Sequence, residues 1–307
     1  MTAPRQLARR ARRNAVSRWR AWRANRMRRN GSPHRFVGRI PLDYPIVPKP
    51  RWGHGSPAHH ALSEIIGRSR AQYAAELEAV LELRDRLTTI PVDAPKRSPE
   101  PRWLNGALPG LDAAVLYTMV ARHRPATYLE IGSGQSTKFA RRACRDHDLA
   151  TRIVSIDPAP HAEIDDLCDE VLRSGLEDVD LAVFDRLEVG DILFVDNSHR
   201  CLQNSDVTVA FLDVLPALPV GVLVHFHDIF LPDDYPLEIA EQFYSEQYVL
   251  AAALLADGPR LQIVMPNWYV AADAELGAIL DPLWAEPGFE AVQTHGASFW
   301  LRTGGQP

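Results

Sequence analysis

The segment YLEIGSGQST, residues 128–137, decides the fold of this 307-residue chain. It joins the apolar end of a predicted strand to an acidic residue and two closely spaced glycines, Gly132 and Gly134. Glycine adopts positive φ angles and lets another backbone or a ligand approach closely. Ser136 and Thr137 can cap the helix that follows, and the first amides of that helix would face a bound ligand. The segment therefore predicts a ligand-binding turn between a strand and a helix.

Strands and helices alternate through the rest of the chain. Strand segments such as ILFV (192–195) and VLVHF (222–226) are apolar without alternation, which is typical of parallel strands covered on both faces. The predicted strands are 127–131, 152–156, 170–173, 191–195, 221–225, 260–264 and 297–301, and the predicted helices are 112–122, 137–146, 162–168, 206–215, 237–255 and 274–283. The predicted fold class is α/β, a doubly wound and mostly parallel sheet.

Two segments precede this α/β region and together make up a predicted helical N-terminal extension. Residues 1–60 combine a basic arm with a linker rich in proline and glycine. Residues 61–101 combine one long amphipathic helix, 61–87, with a second proline-rich linker. The third predicted domain, residues 102–307, contains the sheet and the glycine turn.

The charge of the chain is divided unevenly. Residues 1–39 hold thirteen arginines and no acidic residue, and removing those arginines leaves 21 basic against 39 acidic residues. The arm can be a solvated tail, or it can contact an anionic membrane or a nucleic acid. Trp19 and Trp22 favour peripheral membrane contact over nucleic acid, because indole rings concentrate at the membrane interface.

The cysteines and the hydropathy pattern indicate the compartment. Cys144, Cys168 and Cys201 form no C-x-x-C pair, so we expect a reducing environment. No stretch approaches the roughly 20 apolar residues that span a bilayer. The predicted location is the cytoplasm, with membrane association through residues 1–39 as the alternative.

The spacing of the glycine turn separates two cofactor classes. A dinucleotide fingerprint places a third glycine where this chain has Thr137, which argues against NAD. S-adenosylmethionine has no pyrophosphate and needs instead contacts to its amino-acid end and an acid for its ribose hydroxyls. Asp157 ends the strand RIVSID about 25 residues after Gly132, where an acid reads the ribose in such sheets.

Four segments in order carry a family resemblance: LEIGSGQST (129–137), VSID (154–157), DILFVDNSH (191–199) and GVLVHFHD (221–228). Together they resemble the class I S-adenosylmethionine-dependent methyltransferases, which have a Rossmann-like fold. Within that class the chain is similar to the small-molecule O-methyltransferase branch that includes macrolide-sugar methyltransferases and cephalosporin-hydroxylase-like proteins. The resemblance covers residues 103–302 and implies that the cofactor contacts Glu130, Gly132, Ser133, Gly134, Ser136, Asp157 and Asp196.

Acidic and histidine side chains follow two neighbouring predicted strands. Asp196 and His199 follow the first, and His227 and Asp228 follow the second, so they should converge at one sheet edge. Such a group suits either a divalent cation or a proton acceptor for a hydroxyl. His225 should face away and pack in the core.

The resemblance assigns roles to this group. In metal-dependent members of the branch, acids at the Asp196 and Asp228 positions hold magnesium and the histidine three residues after the first acid is the general base. His199 is thus the implied base, with Asp196 and Asp228 beside it in the catalytic site. His227 replaces an acid, so the implied metal set of Asp196, Asp228 and His227 suits either magnesium or a transition metal.

Further residues are weaker candidates. The resemblance implies an adenine site near the end of the third strand, where Ser174, Gly175 and Leu176 are candidates. Residues 230–236 are predicted to form a loop beside the acceptor. Candidate lining residues of the acceptor site are Asn267, Trp268, Tyr269, Trp103 and Asn105. His54, His59 and His60 show no ligand spacing and are expected to be solvated.

These observations predict O-methylation of a small polar molecule such as a sugar or secondary metabolite. Two alternatives remain open, a non-catalytic cofactor-binding protein tethered by its arm and an NAD-dependent enzyme. A nucleic-acid methyltransferase is disfavoured, because the body is acidic and no Asn/Asp-Pro-Pro-Tyr type motif is present.

Overall fold

The computed structural model describes residues 46–240, 242–256 and 261–304. The described residues from Pro48 onward form one compact unit. The basic arm predicted at residues 1–39, with its membrane or nucleic-acid contacts, lies outside the described residues. None of the described helices is long and apolar enough to cross a bilayer.

A seven-stranded sheet organises this unit, in the order β3-β2-β1-β4-β5-β7-β6. Strands β1 to β5 are mutually parallel, and β7 runs antiparallel to both β5 and β6. The strand bounds are β1 (Thr127–Ile131), β2 (Arg152–Ile156), β3 (Glu170–Leu172), β4 (Ile192–Val195), β5 (Leu223–Phe226), β6 (Leu261–Pro266) and β7 (Phe299–Thr303). The predicted mostly parallel, doubly wound α/β class is confirmed.

Helices cover the sheet. Their bounds are α1 (His60–Gly67), α2 (Arg70–Glu82), α3 (Arg84–Leu87), α4 (Gly110–His123), α5 (Gln135–Asp146), α6 (Asp206–Val209), α7 (Leu215–Ala217), α8 (Leu237–Ala240), α9 (Glu246–Leu255), α10 (Asn267–Ala272), α11 (Ala274–Ala278) and α12 (Asp281–Trp284). A wider π-helical turn, Ala210–Val214, joins α6 to α7.

The prediction of one continuous helix over residues 61–87 is wrong. The chain leaves helical geometry at Ser69 and Leu83, so three helices, α1 to α3, replace it. Gly67 lowers helix propensity at the first break, and the Tyr73 hydroxyl donates a hydrogen bond of 2.8 Å to the Ile66 carbonyl. The apolar face itself is confirmed, because Leu62, Ile66, Tyr73, Leu77 and Val80 are buried in the main core.

Three other predicted helices are shorter than expected. Helix 237–255 divides into α8 and α9, with Phe243 between them in the left-handed region at φ 56°. Helix 274–283 divides before Asp281, whose next residue is a proline without an amide donor. Helix 162–168 is only a 3₁₀ turn, Asp165–Leu167. Its upstream segment folds over the glycine turn instead, where the amide of His161 donates to the Ser133 carbonyl at 3.2 Å.

The register brings four strand ends to one edge of the sheet. Ile131 pairs with both Ile156 and Val195, and Val195 pairs with Phe226. The residues that follow these strands are therefore neighbours, and they are Gly132, Asp157, Asp196 and His227. Chain order reverses between β1 and β4, which makes this edge the topological switch point where α/β sheets bind ligands.

Gly132 is required by the packing of this edge. Its φ is +78°, and a Cβ there would lie 1.7 Å from the backbone oxygen of Asp196. Gly134 differs, because the nearest atom to a Cβ there is the Cβ of His161 at 3.6 Å, an ordinary contact.

We expect the two glycines to respond differently to alanine. Gly132→Ala should lower the free energy of unfolding by at least about 3 kcal/mol, because both the backbone angle and the Asp196 carbonyl oppose a side chain. Gly134→Ala should change it by less than about 1 kcal/mol. Urea denaturation followed by circular dichroism measures both, and equal losses would contradict the steric account.

Candidate active site

The turn after β1 is held by a buried acid. Glu130 is fully buried, and its carboxylate accepts hydrogen bonds from the hydroxyls of Tyr128, at 3.0 Å, and Thr137. The Thr137 hydroxyl also accepts the amide of Gly134 at 3.1 Å. Burial raises the pKa of Glu130 to about 7, against the opposing effect of its hydroxyl donors, Ser136 among them. Glu130 thus fixes the shape of the turn from beneath.

Ser133 and Asp157 brace the turn against the end of β2. The carboxylate of Asp157 accepts the amide of Ser133 at 2.8 Å and that of Ala159 at 2.6 Å. The Ser133 hydroxyl pairs with the Ser155 hydroxyl at 2.7 Å. Asp157 is only 7% exposed, and burial raises its pKa. Both residues lie at the predicted edge, and part of their hydrogen-bonding capacity is used within the protein.

Two features of the turn fit a small polar ligand. The space beside Gly134 would admit a side chain, so the protein itself does not require glycine there. The side-chain oxygen of Gln135, the first residue of α5, is buried without a hydrogen-bond partner. An unpaired buried acceptor is costly, so a donor such as an ammonium or hydroxyl group of a ligand would satisfy it.

His199 lies at the centre of the predicted acid and histidine cluster. Its Nε2 is 3.2 Å from Asp196 Oδ1 and 3.5 Å from Asp228 Oδ2, and its Nδ1 is 2.8 Å from Glu246 Oε2. The imidazole is 5% exposed, whereas the side chains of Asp196 and Asp228 are 37% and 24% exposed. The two aspartates therefore form the accessible side of the cluster.

His227 continues the cluster toward the core. Its Nδ1 lies 3.5 Å from Asp228 Oδ1 and 3.7 Å from Asp196 Oδ1, and its Nε2 lies 3.3 Å from Asp112 Oδ2. Asp112, near the start of α4, is fully buried. It accepts the amides of Ala297 and Ser298, at 2.8 and 2.9 Å, and the side-chain amide of Asn267 at 2.7 Å.

Imidazoles and carboxylates alternate in the cluster, and each shifts the pKa of its neighbours. Burial lowers the pKa of His199, but the hydrogen bonds to Asp196 and Glu246 and the charge of Asp228 outweigh it and raise that pKa well above its usual value. Burial likewise opposes the charge of His227, while Asp196, Asp228 and Asp112 raise its pKa to about 9. The pKa of Asp196 is lowered despite burial, by His227 and His199. The carboxylates thus favour the protonated form of both imidazoles.

This arrangement does not fit the predicted metal set of Asp196, Asp228 and His227. Both ring nitrogens of His227 lie 3.3 to 3.7 Å from carboxylate oxygens, which raise the pKa of the ring to about 9 and so favour its protonated form, whereas a metal ligand needs a free lone pair on nitrogen. The described part of the chain contains no group of three or more acidic, histidine or cysteine side chains that could hold a metal ion.

Comparison with known proteins agrees with this geometry. Residues 129–229 match the model of a family described as a methyltransferase domain, and this span includes all four strand ends of the edge. The matched residues, about a third of the chain, are similar to that domain. The predicted enzyme class, a methyltransferase, is confirmed, whereas the match specifies neither the methyl donor nor the atom that is methylated. No curated protein sequence matches the chain.

Solved structures with a related chain course include two methyltransferases bound to S-adenosylhomocysteine. One, from Podospora anserina, is 18% identical, covers 74% of this chain and 88% of its own, and has a TM-score of 0.39. The other, a plantazolicin methyltransferase, is 12% identical, covers 80% of this chain and 100% of its own, and has a TM-score of 0.36.

Three other residues considered in the sequence analysis lie in the protein interior. His225 is core, as predicted, because it is fully buried, stacks on Phe194 at 3.7 Å and bonds to the Ser298 hydroxyl at 2.7 Å. Trp103 is also core, packed on Phe139, and does not line a cleft. Asn267 holds Asp112 rather than facing an acceptor.

The loop 230–236 of the methyltransferase is covered by residues 51–59. The amide of Asp234 donates to the Trp52 carbonyl at 3.1 Å, and the amide of His59 donates to the Pro232 carbonyl at 3.0 Å. His54 Nε2 lies 2.8 Å from the Asp234 carbonyl oxygen. The expectation that His59 is solvated is wrong, because it is half-buried where this segment docks on the loop, whereas His54 is exposed as expected and bonds to the loop through Nε2. His60 is exposed.

Sequence reasoning missed Asp112 and Glu246, the two buried acids behind the imidazoles. Asp112 carried a usable signal, since it is the one acid in the helix GLDAAVLYTMVARH and the whole first part of that helix is buried. Glu246 carried less, because an acid in the first turn of a helix is ordinary.

The charge on His227 predicts a pH-dependent stability. Its pKa is raised from 6.5 to about 9 on folding, so its stabilisation is complete below pH 6.5 and is lost as the pH rises through 9. The unfolding free energy of the native chain minus that of His227→Gln should fall by about 3 kcal/mol between pH 6 and pH 10. Urea titrations at each pH measure this difference. His60→Gln, at an exposed position, is the control, and a constant difference for His227→Gln would contradict the charged state.

Proposed function

We propose that this methyltransferase moves the methyl group of S-adenosylmethionine to a hydroxyl of a small polar acceptor, such as a sugar or a secondary metabolite. The observation that carries the proposal is the position of His199, whose Nε2 faces two partly exposed aspartates at the switch point of the sheet. A hydroxyl must lose its proton when it is methylated, and an imidazole is suited to receive it.

The cofactor would be held at the turn between β1 and α5. Its amino-acid end would lie against Gly134 and Ser136, with the orphan oxygen of Gln135 as an acceptor for its ammonium group. Asp157 would take the ribose hydroxyls with the lone pairs that its two backbone donors leave. When bound, S-adenosylmethionine supplies an electrophilic methyl group on a sulfonium.

The residues of the chain then have two tasks. They align the acceptor oxygen with the methyl group, and they take up the proton that the acceptor releases. The carboxylates around His199 make its neutral form a stronger base and also reduce the neutral fraction at pH 7. A metal enters no step of this proposal, because His227 already places a cation between Asp196 and Asp228.

The acceptor class follows from the surroundings of the site. The accessible side chains of the cluster are aspartates, which repel phosphates and carboxylates and accept hydrogen bonds from hydroxyls. A nucleic-acid acceptor would need a positive channel instead. A neutral or cationic polyol suits this site better than an anionic acceptor.

Binding tests the cofactor. Calorimetry should show that the full chain binds S-adenosylhomocysteine and not NAD. Gly134→Ala should weaken that binding at least about tenfold, equivalent to 1.4 kcal/mol, because a methyl group fills space meant for the cofactor. Binding of NAD alone would contradict the proposal.

His199→Ala tests the chemistry. Transfer of radiolabelled methyl groups to a panel of hydroxylated sugars and phenols should fall by about 10²- to 10⁴-fold, the usual contribution of a general base. Affinity for S-adenosylhomocysteine should stay within about twofold, since His199 is placed on the acceptor side. The rate of the native chain should rise with pH, because the raised pKa of His199 favours the protonated ring at neutral pH and the neutral base forms as the pH increases. Equal loss of binding and transfer would mean that His199 is structural.

A further inference from the structure

The segment that follows β4 is hydrogen-bonded to the start of α9. The carbonyl oxygen of His199 accepts the backbone amides of Ser245, at 2.8 Å, and Glu246, at 3.2 Å. The amide of Cys201 donates to the Ser245 hydroxyl at 2.8 Å. His199 itself has a φ of 60°, a conformation that a histidine adopts only where its surroundings impose it. This backbone geometry presents the His199 ring to the N-terminus of α9.

The carboxylate of Glu246 joins two residues of this segment. Its Oε1 accepts the side-chain amide of Asn197 at 3.0 Å, and its Oε2 lies 2.8 Å from His199 Nδ1. The side-chain oxygen of Asn197 in turn accepts the amide of His199 at 2.8 Å. Glu246 is fully buried, and a buried carboxylate is tolerated only where such partners satisfy it. Its place in the first turn of α9 adds the favourable field of the helix N-terminus.

This contact determines which ring nitrogen faces the cleft. With Nδ1 against the Glu246 carboxylate, Nε2 is the nitrogen beside Asp196 and Asp228. The ring of Tyr244 lies 4.6 Å from the imidazole, centroid to centroid, and restricts its rotation. A nucleophile or base oriented by a third group is the usual construction of a proton-transfer site.

We propose that Glu246 is the positioning residue of this methyltransferase: it fixes the tautomer and orientation of His199 so that Nε2 receives the proton of the acceptor hydroxyl. The inference rests on the proposed function. In the step, the acceptor oxygen forms a bond to the methyl carbon while the bond from that carbon to sulfur breaks. Sulfur keeps the electron pair and becomes a neutral thioether, and the hydroxyl proton moves to Nε2 of neutral His199. The resulting imidazolium carries Nδ1–H toward Glu246.

The test is nuclear magnetic resonance of the full chain labelled with ¹⁵N-histidine, with His199→Gln used to assign the His199 signals. In the native chain, the neutral ring should carry its proton on Nδ1, and that proton should exchange slowly with water. Glu246→Gln keeps the side-chain shape and removes the charge that strengthens the bond. It should speed this exchange at least about tenfold, the effect of losing 1.4 kcal/mol, and mix the two tautomers.

Two controls separate positioning from a general structural role. Asn197→Ala removes the other hydrogen bond of Glu246 and the acceptor of the His199 backbone amide, but it leaves the Glu246 carboxylate at Nδ1. It should therefore keep the native tautomer of His199 and change the exchange of its ring proton less than Glu246→Gln does, even where it lowers the melting temperature. Glu238→Gln, on the exposed face of α8, should change neither. If Glu246→Gln does not fold, Glu246→Asp applies the same test, because its shorter side chain withdraws the acceptor oxygen from Nδ1.

The outcomes distinguish the inference from the function on which it rests. Native His199 signals in Glu246→Gln, or equal changes in Glu246→Gln and Asn197→Ala, would overturn the positioning role. Both variants should bind S-adenosylhomocysteine like the native chain, and Glu246→Gln should transfer methyl groups more slowly to hydroxyl acceptors, with a pH profile displaced from the native one. Failure of the unaltered chain to bind S-adenosylhomocysteine would overturn the proposed function, whatever the His199 spectra show.

Discussion

The close contact between the turn after β1 and the end of β4 is the constraint on which the rest of the site depends. Gly132 lies so near the backbone oxygen of Asp196 that no side chain fits between them. The amide of Asp196 donates to the Ile131 carbonyl at 2.8 Å, which continues the strand pairing into the turn. Since the glycine turn and the acid cluster begin at these two residues, their separation is set by the sheet itself rather than by flexible loops.

The second constraint on the site is the pairing of its buried carboxylates with imidazoles. Four carboxylates, those of Asp112, Asp196, Asp228 and Glu246, surround two imidazoles, and only the two middle aspartates are appreciably exposed. Each buried acid is satisfied by an imidazole and by amide donors, so no isolated charge is left in the core. The two imidazoles thus hold the cluster together, and removing either one would leave carboxylates without their counter-charge.

The sequence was informative where local pattern and long-range structure coincide. Strands 127–131 and 152–156 were predicted to the residue, because short apolar runs bounded by turn residues have few alternatives. Helix ends were less predictable, since breaks such as that at Ser69 depend on how the flanking helices meet the core. Asp112 and Glu246 could not be connected to the histidines from sequence, because the contacts join residues far apart in the chain, such as His199 and Glu246. Their roles exist only once the sheet register is known.

The docking of residues 51–59 on the loop 230–236 limits where the chain can be truncated. The Arg51 amide donates to the Asp234 carboxylate at 3.0 Å, and Gly53 lies against the Asp233 side chain. A recombinant fragment that started at the sheet region alone would expose the underside of that loop and unpair several backbone groups. A fragment that keeps this loop covered must therefore retain residues 51–59, well upstream of the first strand.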